Sequence, residues 1–419
     1  MPITVRNPLR RQIFLLAVAL LPGLNSVSLA QTAVPDVTFS GFGTLGYAVL
    51  DDKNAEFRTG VAIDGADNRG SLEVDTRLGL QMDTVFNPAF SATFQLTARE
   101  AEDGDAAVEL EWGFLRWLVT DNISIRAGRM SLPVYSNSDF REVGYAMPYL
   151  RPPEDVYSMI PLRRFNGADI TLDHVWANAL FRWQFFAGQT REDIFDNLTP
   201  DADQAFGISI TVENGPARVR ISHVDSQVDI DSKNANIAAL RAGIAQVQQS
   251  VPTLAPILDP VASDFAGESV PLTFDTIALS LEFSRVFIDA EYTRRRIDNW
   301  APDVDGWSLA LGTRVGKFQP YVHISKLSEP DGDRRVSLPD NPSLTPVETG
   351  INLFYAPRDQ NTIGIGTRFD LSPSIALKAQ LDRISREEIG ISFNRITVDD
   401  GSDNGDDVTL FSAVVDFVF

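Results

Sequence analysis

Two sets of charged side chains in this sequence have the chemistry to act on a passing solute. The basic set alternates with apolar residues in short segments and comprises Arg77, Arg99 and Arg126, together with Arg129, whose face depends on the local register. The acidic set lies in the stretch 131–165 and comprises Asp139, Glu142, Glu154 and Asp155. Opposed charges across a narrow aqueous passage orient polar solutes and set ion selectivity. The pattern predicts a pore constriction, with purely structural salt bridges as the alternative for each residue.

Catalytic and metal-binding chemistry finds little support. His174, His223 and His323 fall on different predicted strands, and none has a second His or Cys at ligand spacing. A hydrolase would need a serine beside His174 or His223, and nothing in the spacing provides one. We therefore expect no enzyme, no metal and no cofactor.

The N-terminus has the pattern of an export signal. Three arginines precede a short apolar run at 13–21, and Ser28-Leu29-Ala30 fits a small-x-small cleavage site. The run is shorter than the roughly 20 residues that span a bilayer as a helix. The sequence thus predicts a cleaved signal peptide at 1–30 and a mature chain that begins at Gln31.

Composition narrows the class further. The formal charge of −21 becomes −24 without the three signal arginines (−21 − 3), which argues against nucleic acid as a partner. The absence of Cys fits export through an oxidising compartment.

The elements that position the charges are strands with a two-residue period. From Leu72 to Asp83, apolar residues alternate with polar ones, and the same alternation resumes from Phe90 to Arg99 after a tight turn. About sixteen such segments occur, with a bulge expected near Phe114 where the pattern changes register. Connections are alternately short and long, as in transmembrane barrels.

The last strand explains what covers the apolar faces. In 408–419 the residues Phe411, Val415, Phe417 and Phe419 share one face, while Ser412 and Asp416 lie on the other. A terminal apolar strand needs pairing on both edges and an apolar environment, and a closed barrel in a bilayer provides both. The predicted fold is therefore all-β, a transmembrane antiparallel barrel over 31–419 that closes between its first and last strands.

This C-terminal strand, the strand Ile125-Arg126-Ala127-Gly128-Arg129 before the third long loop, and the exit Phe165-Asn166-Gly167 resemble Gram-negative outer-membrane general porins. The resemblance implies a third loop folded into the barrel, a homotrimer, and a multi-pass location in the outer membrane. It also implies that the final strand, through the four apolar residues named above, is the assembly signal read by the barrel-insertion machinery. The implied function is passive diffusion of small hydrophilic solutes and ions.

The loop 131–165 has a physical reason to turn inward, since its many aromatic side chains would be costly on an exposed surface. A second long loop, 225–271, carries apolar residues at helical spacing up to Pro252, which predicts a short extracellular helix. The acidic stretch 399–407 is expected to be solvated and to contact lipopolysaccharide through divalent cations.

Two rival functions remain open at the level of sequence. One is a substrate-selective channel with a lumenal arginine ladder, for which Arg294, Arg295 and Arg296 form a fragment. The other is a secreted β-rich binding protein.

Overall fold

Sixteen antiparallel strands close into one barrel, in which each strand pairs with its sequence neighbours and the first pairs with the last. The computed structural model describes residues 35–53, 55–59, 65–100, 106–160, 162–192, 198–298, 301–330, 334–355, 359–386, 396–398 and 407–419. The predicted signal peptide at 1–30 and nearly all of the acidic stretch 399–407 lie outside these residues. The predicted sixteen-strand barrel is confirmed.

The barrel strands and a separate two-stranded sheet, made of β2 and β17, follow the chain in order. Their bounds are β1 Asp36–Leu50, β2 Ala55–Phe57, β3 Arg77–Asn87, β4 Phe90–Glu100, β5 Ala106–Thr120, β6 Ile123–Ser131, β7 Arg164–Trp176, β8 Ala179–Arg191, β9 Leu198–Asn214, β10 Ala217–Ser232, β11 Val270–Glu282, β12 Val286–Ile297, β13 Val304–Thr313, β14 Phe318–Ser328, β15 Gln360–Ser372, β16 Ile375–Arg386, β17 Ile396–Val398 and β18 Val408–Val418.

Alternation along each strand separates two surfaces. On β11, Ile277 faces outward and is 50% exposed, whereas its neighbour Thr276 faces the lumen and is 3% exposed. The same contrast separates Leu309 from Ser308 on β13. An apolar outer face and a polar inner face follow directly from the two-residue period of the sequence.

The closure of the barrel depends on glycine. Strand β1 pairs with β18 from Phe42 opposite Val418 to Leu50 opposite Leu410. The rings of Phe417 and Phe419 lie over Gly43 and Gly41, where a Cβ atom would collide with them. These two glycines therefore let the terminal aromatic residues pack flat against the outer wall.

One end of the barrel, here called the turn rim, has short connections. Ala177 and Asn178, with φ of 49° and 62°, form the two-residue connection between β7 and β8, as expected for a tight hairpin turn. The other end, the loop rim, has the long connections and, among the described residues, four α-helices. These are α1 Glu154–Tyr157, α2 Ala235–Ser250, α3 Ala255–Asp264 and α4 Thr345–Phe354.

No helix in the described part of the chain has the length and apolar character to cross a membrane.

Two expectations about strand geometry need correction. The segment that starts at Leu72 becomes a strand only at Arg77, because Thr76 turns back onto Leu72 and Asp75 pairs with an arginine of another loop. The bulge lies at Glu111 and not near Phe114, since Gln95 is opposite Trp112 while Leu96 is opposite Leu110.

An apolar cluster fills much of the loop-rim half of the lumen, and we call it the plug. It combines residues of the loop 132–163, of the helices α2 and α3, and of the inner faces of several strands. Phe274 on β11 and Leu258 on α3 are completely buried in it. A lumen lined only by water would leave such side chains exposed, so the loop and the helices form one packed unit with the barrel wall.

Candidate functional site

The loop 132–163, here called the lumenal loop, crosses the barrel and contacts walls that face each other. Glu142 reaches Arg99 on β4, while Asp155 accepts hydrogen bonds from Ser325 on β14 and Gln360 on β15. The inward fold predicted for the third loop is confirmed by these contacts. The loop therefore occupies part of the cross-section of the lumen.

Eight charged side chains near the β3–β7 wall form one ion-paired set, here called the charge network. Its four arginines and four glutamates are Arg77, Arg99, Arg163, Arg164, Glu109, Glu111, Glu142 and Glu192. Opposite charges are equal in number, so the network as a whole is neutral. Its members come from strands β3, β4, β5 and β7, from the lumenal loop, and from the connection after β8.

Glu142 is the member that the lumenal loop contributes from its middle. Its carboxylate lies 3.0 Å from Arg99, 3.6 Å from Arg163 and 3.9 Å from Arg77. Burial opposes ionisation, but the positive charges of Arg99, Arg77 and Arg163 outweigh it and hold the pKa of Glu142 well below its usual range. Glu142 thus carries its negative charge at any physiological pH.

Two cavities adjoin this network. The loop-rim cavity, of about 70 Å³, is lined by Thr59, Glu73, Asp75, Arg77, Arg99 and further residues. The turn-rim cavity, of about 20 Å³, is lined by Gln95, Glu111, Trp112, Ser138, Asp139 and others. Arg141, Glu142 and Arg163 line both. Since one water needs roughly 10–15 Å³ of such volume, each cavity holds at most a few waters.

A second group of contacts fixes the backbone of the lumenal loop to strands β15 and β16 of the wall. Lys378 on β16 donates to the carbonyl oxygens of Gly144 and Tyr149 and pairs with Asp416 at 2.9 Å. Lys378 and Asp416 are fully buried side chains. Arg368 on β15 donates to two more loop carbonyl groups, those of Tyr145 and Met147.

The short helix α1 provides further anchors. Tyr157 donates to Glu291 on β12 at 2.8 Å, and the ring of Tyr157 stacks on Tyr135. Burial raises the pKa of Asp155 above its ordinary value, although hydrogen bonds from Ser325, Thr362 and Gln360 act in the opposite direction. At the start of the helix segment, Arg151 makes two hydrogen bonds to Asp75.

The structure brings together only part of the predicted constriction set. Arg77, Arg99 and Glu142 are in the charge network, and Glu154 lines the loop-rim cavity beside them. Asp139 instead pairs with Arg220 on β10, at 3.3 Å. Asp155, as described above, is buried against β14 and β15.

Arg126 and Arg129 lie on opposite faces of β6. Arg126 pairs with Asp169, which is buried, and stacks over Phe114 in the lumen. Arg129 pairs laterally with Asn166 on the outer face. The expectation that Arg129 lines the constriction is therefore wrong, because an odd separation of three residues places two side chains on different faces of a regular strand.

The proposed arginine ladder divides in the same way. Arg294 and Arg296 point outward and pair with Asp305. Arg295 points inward, where it donates to the backbone of Met159 and Pro302. These three consecutive arginines do not form a lumenal ladder.

The sequence reasoning missed several residues of the site. Glu109 and Glu111 alternate on β5 and were detectable as a pair of acidic residues in an apolar strand. Lys378 carries no comparable local signal, because its partners are 38 residues or more away in the chain.

No family model matches the sequence, and no curated protein matches it. Solved structures share its fold. The outer membrane channel DcaP of Acinetobacter baumannii is 10% identical with a TM-score of 0.54, and the match covers 94% of this chain and 100% of that one. An anion-selective porin from Comamonas acidovorans is 12% identical with a TM-score of 0.52, over 92% and 100% of the chains. The trimer form of OmpT, an outer membrane protein of Vibrio cholerae, is 8% identical with a TM-score of 0.50, over 92% and 99%.

Proposed function

We propose that the protein is an outer-membrane porin that passes small hydrophilic solutes and ions by passive diffusion. The observation that carries the proposal is the closed barrel with an apolar outer face and a charged interior. Outward side chains such as Ile363, Leu311 and Val322 are 59%, 45% and 51% exposed, which would be costly in water and is favourable in lipid. The same exposure argues against a secreted binding protein.

The structural neighbours support the same function, since they include an anion-selective porin and an outer membrane channel. In this proposal the segment 1–30 is a cleaved export signal, the turn rim faces the periplasm, and the loop rim faces the outside. The segments 132–163 and 233–269 are then a constriction loop and an extracellular loop that carries α2 and α3.

The constriction is proposed to lie at the charge network. Arg77, Arg99 and Glu142 would surround the passing solute at its narrowest point. Asp139 and Arg126, which lie elsewhere on the lumenal surface, would act on ions at longer range.

Assembly is proposed to follow the porin pattern. The outward residues Phe411, Val415, Phe417 and Phe419 would be read by the barrel-insertion machinery. A homotrimer is supported by the trimer form of the V. cholerae neighbour. Lipopolysaccharide would contact the outer face near the loop rim.

One observation favours a substrate-selective channel as the second candidate. Lumenal side chains on the β10–β18 side are almost fully buried, with Thr293 and Ser412 at 0% exposure. A general porin with a wide aqueous lumen would leave such residues in contact with solvent.

Reconstitution into planar bilayers tests the proposal. We expect stepwise conductance, with the reversal potential in a salt gradient giving the sign of ion preference. Swelling of liposomes in neutral sugars of graded size then separates the two candidates, because a general porin admits all sugars below a size limit. A protein that migrates identically in detergent gels with and without boiling, and gives no conductance, would refute the porin function.

A further inference from the structure

The two cavities at the charge network share part of their lining, which we call the partition. Arg141, Glu142 and Arg163 line both the loop-rim cavity and the turn-rim cavity. Gln95 and Asp139 line the turn-rim cavity only, and the side chain of Asp139 is 58% exposed. A polar route along the β3–β6 wall is therefore interrupted at one level.

The backbone that carries this partition is held firmly. As described above, Lys378 and Arg368 together donate to four backbone carbonyl groups between Gly144 and Tyr149. Each is a charged donor in a buried setting, and such hydrogen bonds contribute more to stability than neutral ones. A swing of the whole loop would break all four and would also disrupt the plug.

The side chains of the partition, by contrast, have alternative partners. Arg99 contacts both Glu142 and Glu109, and Arg163 contacts both Glu142 and Glu192. If Glu142 turns away, each arginine keeps a carboxylate partner.

The network also contains buried polar atoms that are not satisfied. In the described part of the chain, Oε2 of Glu142 and the Nε atoms of Arg77 and Arg163 have no hydrogen-bond partner. A buried group without a partner is costly, so this arrangement is less stable than a fully bonded one. The network therefore gains hydrogen bonds if these side chains rearrange.

We propose that Glu142, together with Arg163, is a side-chain gate that closes the passage in this conformation, and that it opens while the loop backbone stays in place. The inference rests on the proposed channel function. It assigns the passage to the β3–β6 side of the lumen and gives Glu142 control of its width.

Paired substitutions in the same loop test the position of the gate. Glu142→Ala removes the partition, and we expect single-channel conductance to rise several-fold. Asp139→Ala is the matched control, because it removes a carboxylate three residues away that lines only one cavity. We expect Asp139→Ala to shift the ion preference, because Asp139 acts on ions at longer range, but not to raise the conductance several-fold. Heat-modifiable migration in gels confirms that both variants are folded.

An engineered disulfide tests whether the backbone must move. A Cβ atom at Gly144 would lie 2.7 Å from the hydroxyl oxygen of Thr44, so Thr44→Cys with Gly144→Cys brings two cysteine side chains into contact. The same Cβ atom would also meet Oδ1 of Asp416, whose carboxylate must shift to admit it. The sequence has no native Cys to interfere. A second lock, Asp155→Cys with Ser325→Cys, replaces side chains whose oxygens are 2.5 Å apart and serves if the first fails to fold.

Each result of these conductance measurements supports or overturns a different part of the proposal. Conductance of Glu142→Ala that is raised and unchanged by oxidation of the lock supports the side-chain gate. An increase that disappears on oxidation and returns with a reducing agent overturns it in favour of loop movement. A conducting wild type with no response to Glu142→Ala overturns the position of the gate. Absence of conductance in every folded variant refutes the channel function itself.

Discussion

The lumenal loop meets two sides of the barrel that differ in chemistry. On the β3–β7 side its Glu142 joins a neutral network of four arginines and four glutamates. On the β11–β14 side its residues Val156 and Ile160 belong to the plug, with Phe274 and Leu327 of the wall. Charged side chains with several partners exchange contacts at little cost, whereas close-packed apolar groups have no alternative arrangement. We therefore expect side chains to move on the β3–β7 side, whereas the plug holds the lumenal loop in place on the β11–β14 side.

The largest expected effect comes from breaking the buried ion pair between Lys378 and Asp416, which helps to hold the lumenal loop. Asp416→Asn would leave the Lys378 ammonium buried without its counter-charge, and we expect a loss of about 3–5 kcal/mol in the free energy of unfolding. Unfolding by urea in detergent micelles measures it. Asp407→Asn is the control, because its partner Arg383 is half exposed and such pairs contribute about 0–1 kcal/mol. Equal losses in the two variants would show that burial of the pair is unimportant.

The next effect tests the plug. Leu258→Ala removes a fully buried side chain from α3, and we expect a loss of about 2–5 kcal/mol in the free energy of unfolding without a change in conductance. Its neighbour Ile257 is 38% exposed, so Ile257→Ala should cost clearly less. A rise in conductance with Leu258→Ala would mean that solutes pass through the plug and not along the charge network.

A smaller effect depends on pH. The raised pKa of Asp155 means that its neutral form is favoured in the folded state. Stability from this group is complete below the ordinary Asp pKa of 3.8 and is lost as the pH rises through the raised folded value. Glu142 has the opposite dependence, because its lowered pKa means that its contribution is lost as the pH falls below the ordinary Glu pKa of 4.5. That contribution is the same in Asp155→Asn and in the wild type, so it cancels in their difference.

Asp155→Asn cannot ionise, so the difference in urea midpoint between variant and wild type should grow in favour of the variant as the pH rises. The measurement is a series of unfolding curves from about pH 4 to about pH 8. A difference that stays constant over this series would show that Asp155 is ionised throughout in the folded protein.

The barrel was predictable from the sequence because its cause is local. Alternation within a strand, short turns and the terminal apolar strand each act over a few residues, and together they specify sixteen strands and their closure. Departures occur where a long-range contact overrides the local pattern. Leu72 to Thr76 alternate as a strand does, yet Asp75 is drawn into a pair with Arg151, 76 residues away.

The site was less predictable, because its contacts join residues that are far apart in the chain. Glu142, Arg77 and Arg99 were identifiable because the loop and both strands were correctly placed. The partners of Lys378 and Arg368 depend on how deep each loop residue sits in the lumen, and strand periodicity carries no information on depth. The face of Arg129 depended on the local register, which the sequence left open, and the structure places this residue outward, opposite Asn166.

The smallest effect compares charge pairs inside and outside the network. Arg191 and Asp201 are 3.0 Å apart but 59% and 32% exposed, so a double-mutant cycle should give a coupling of about 0.2–1 kcal/mol. Arg164 and Glu192 are 2.7 Å apart and 11% and 2% exposed, and their coupling should be larger because solvent screens them less. Alanine variants of each residue, with both double variants, provide the two cycles. The pairs have the same chemical types of charge and similar distances, so burial is the main difference between them. If both couplings are equally small, the network holds Glu142 no more strongly than a surface pair would, and the gate would then be closed by side-chain packing instead of charge.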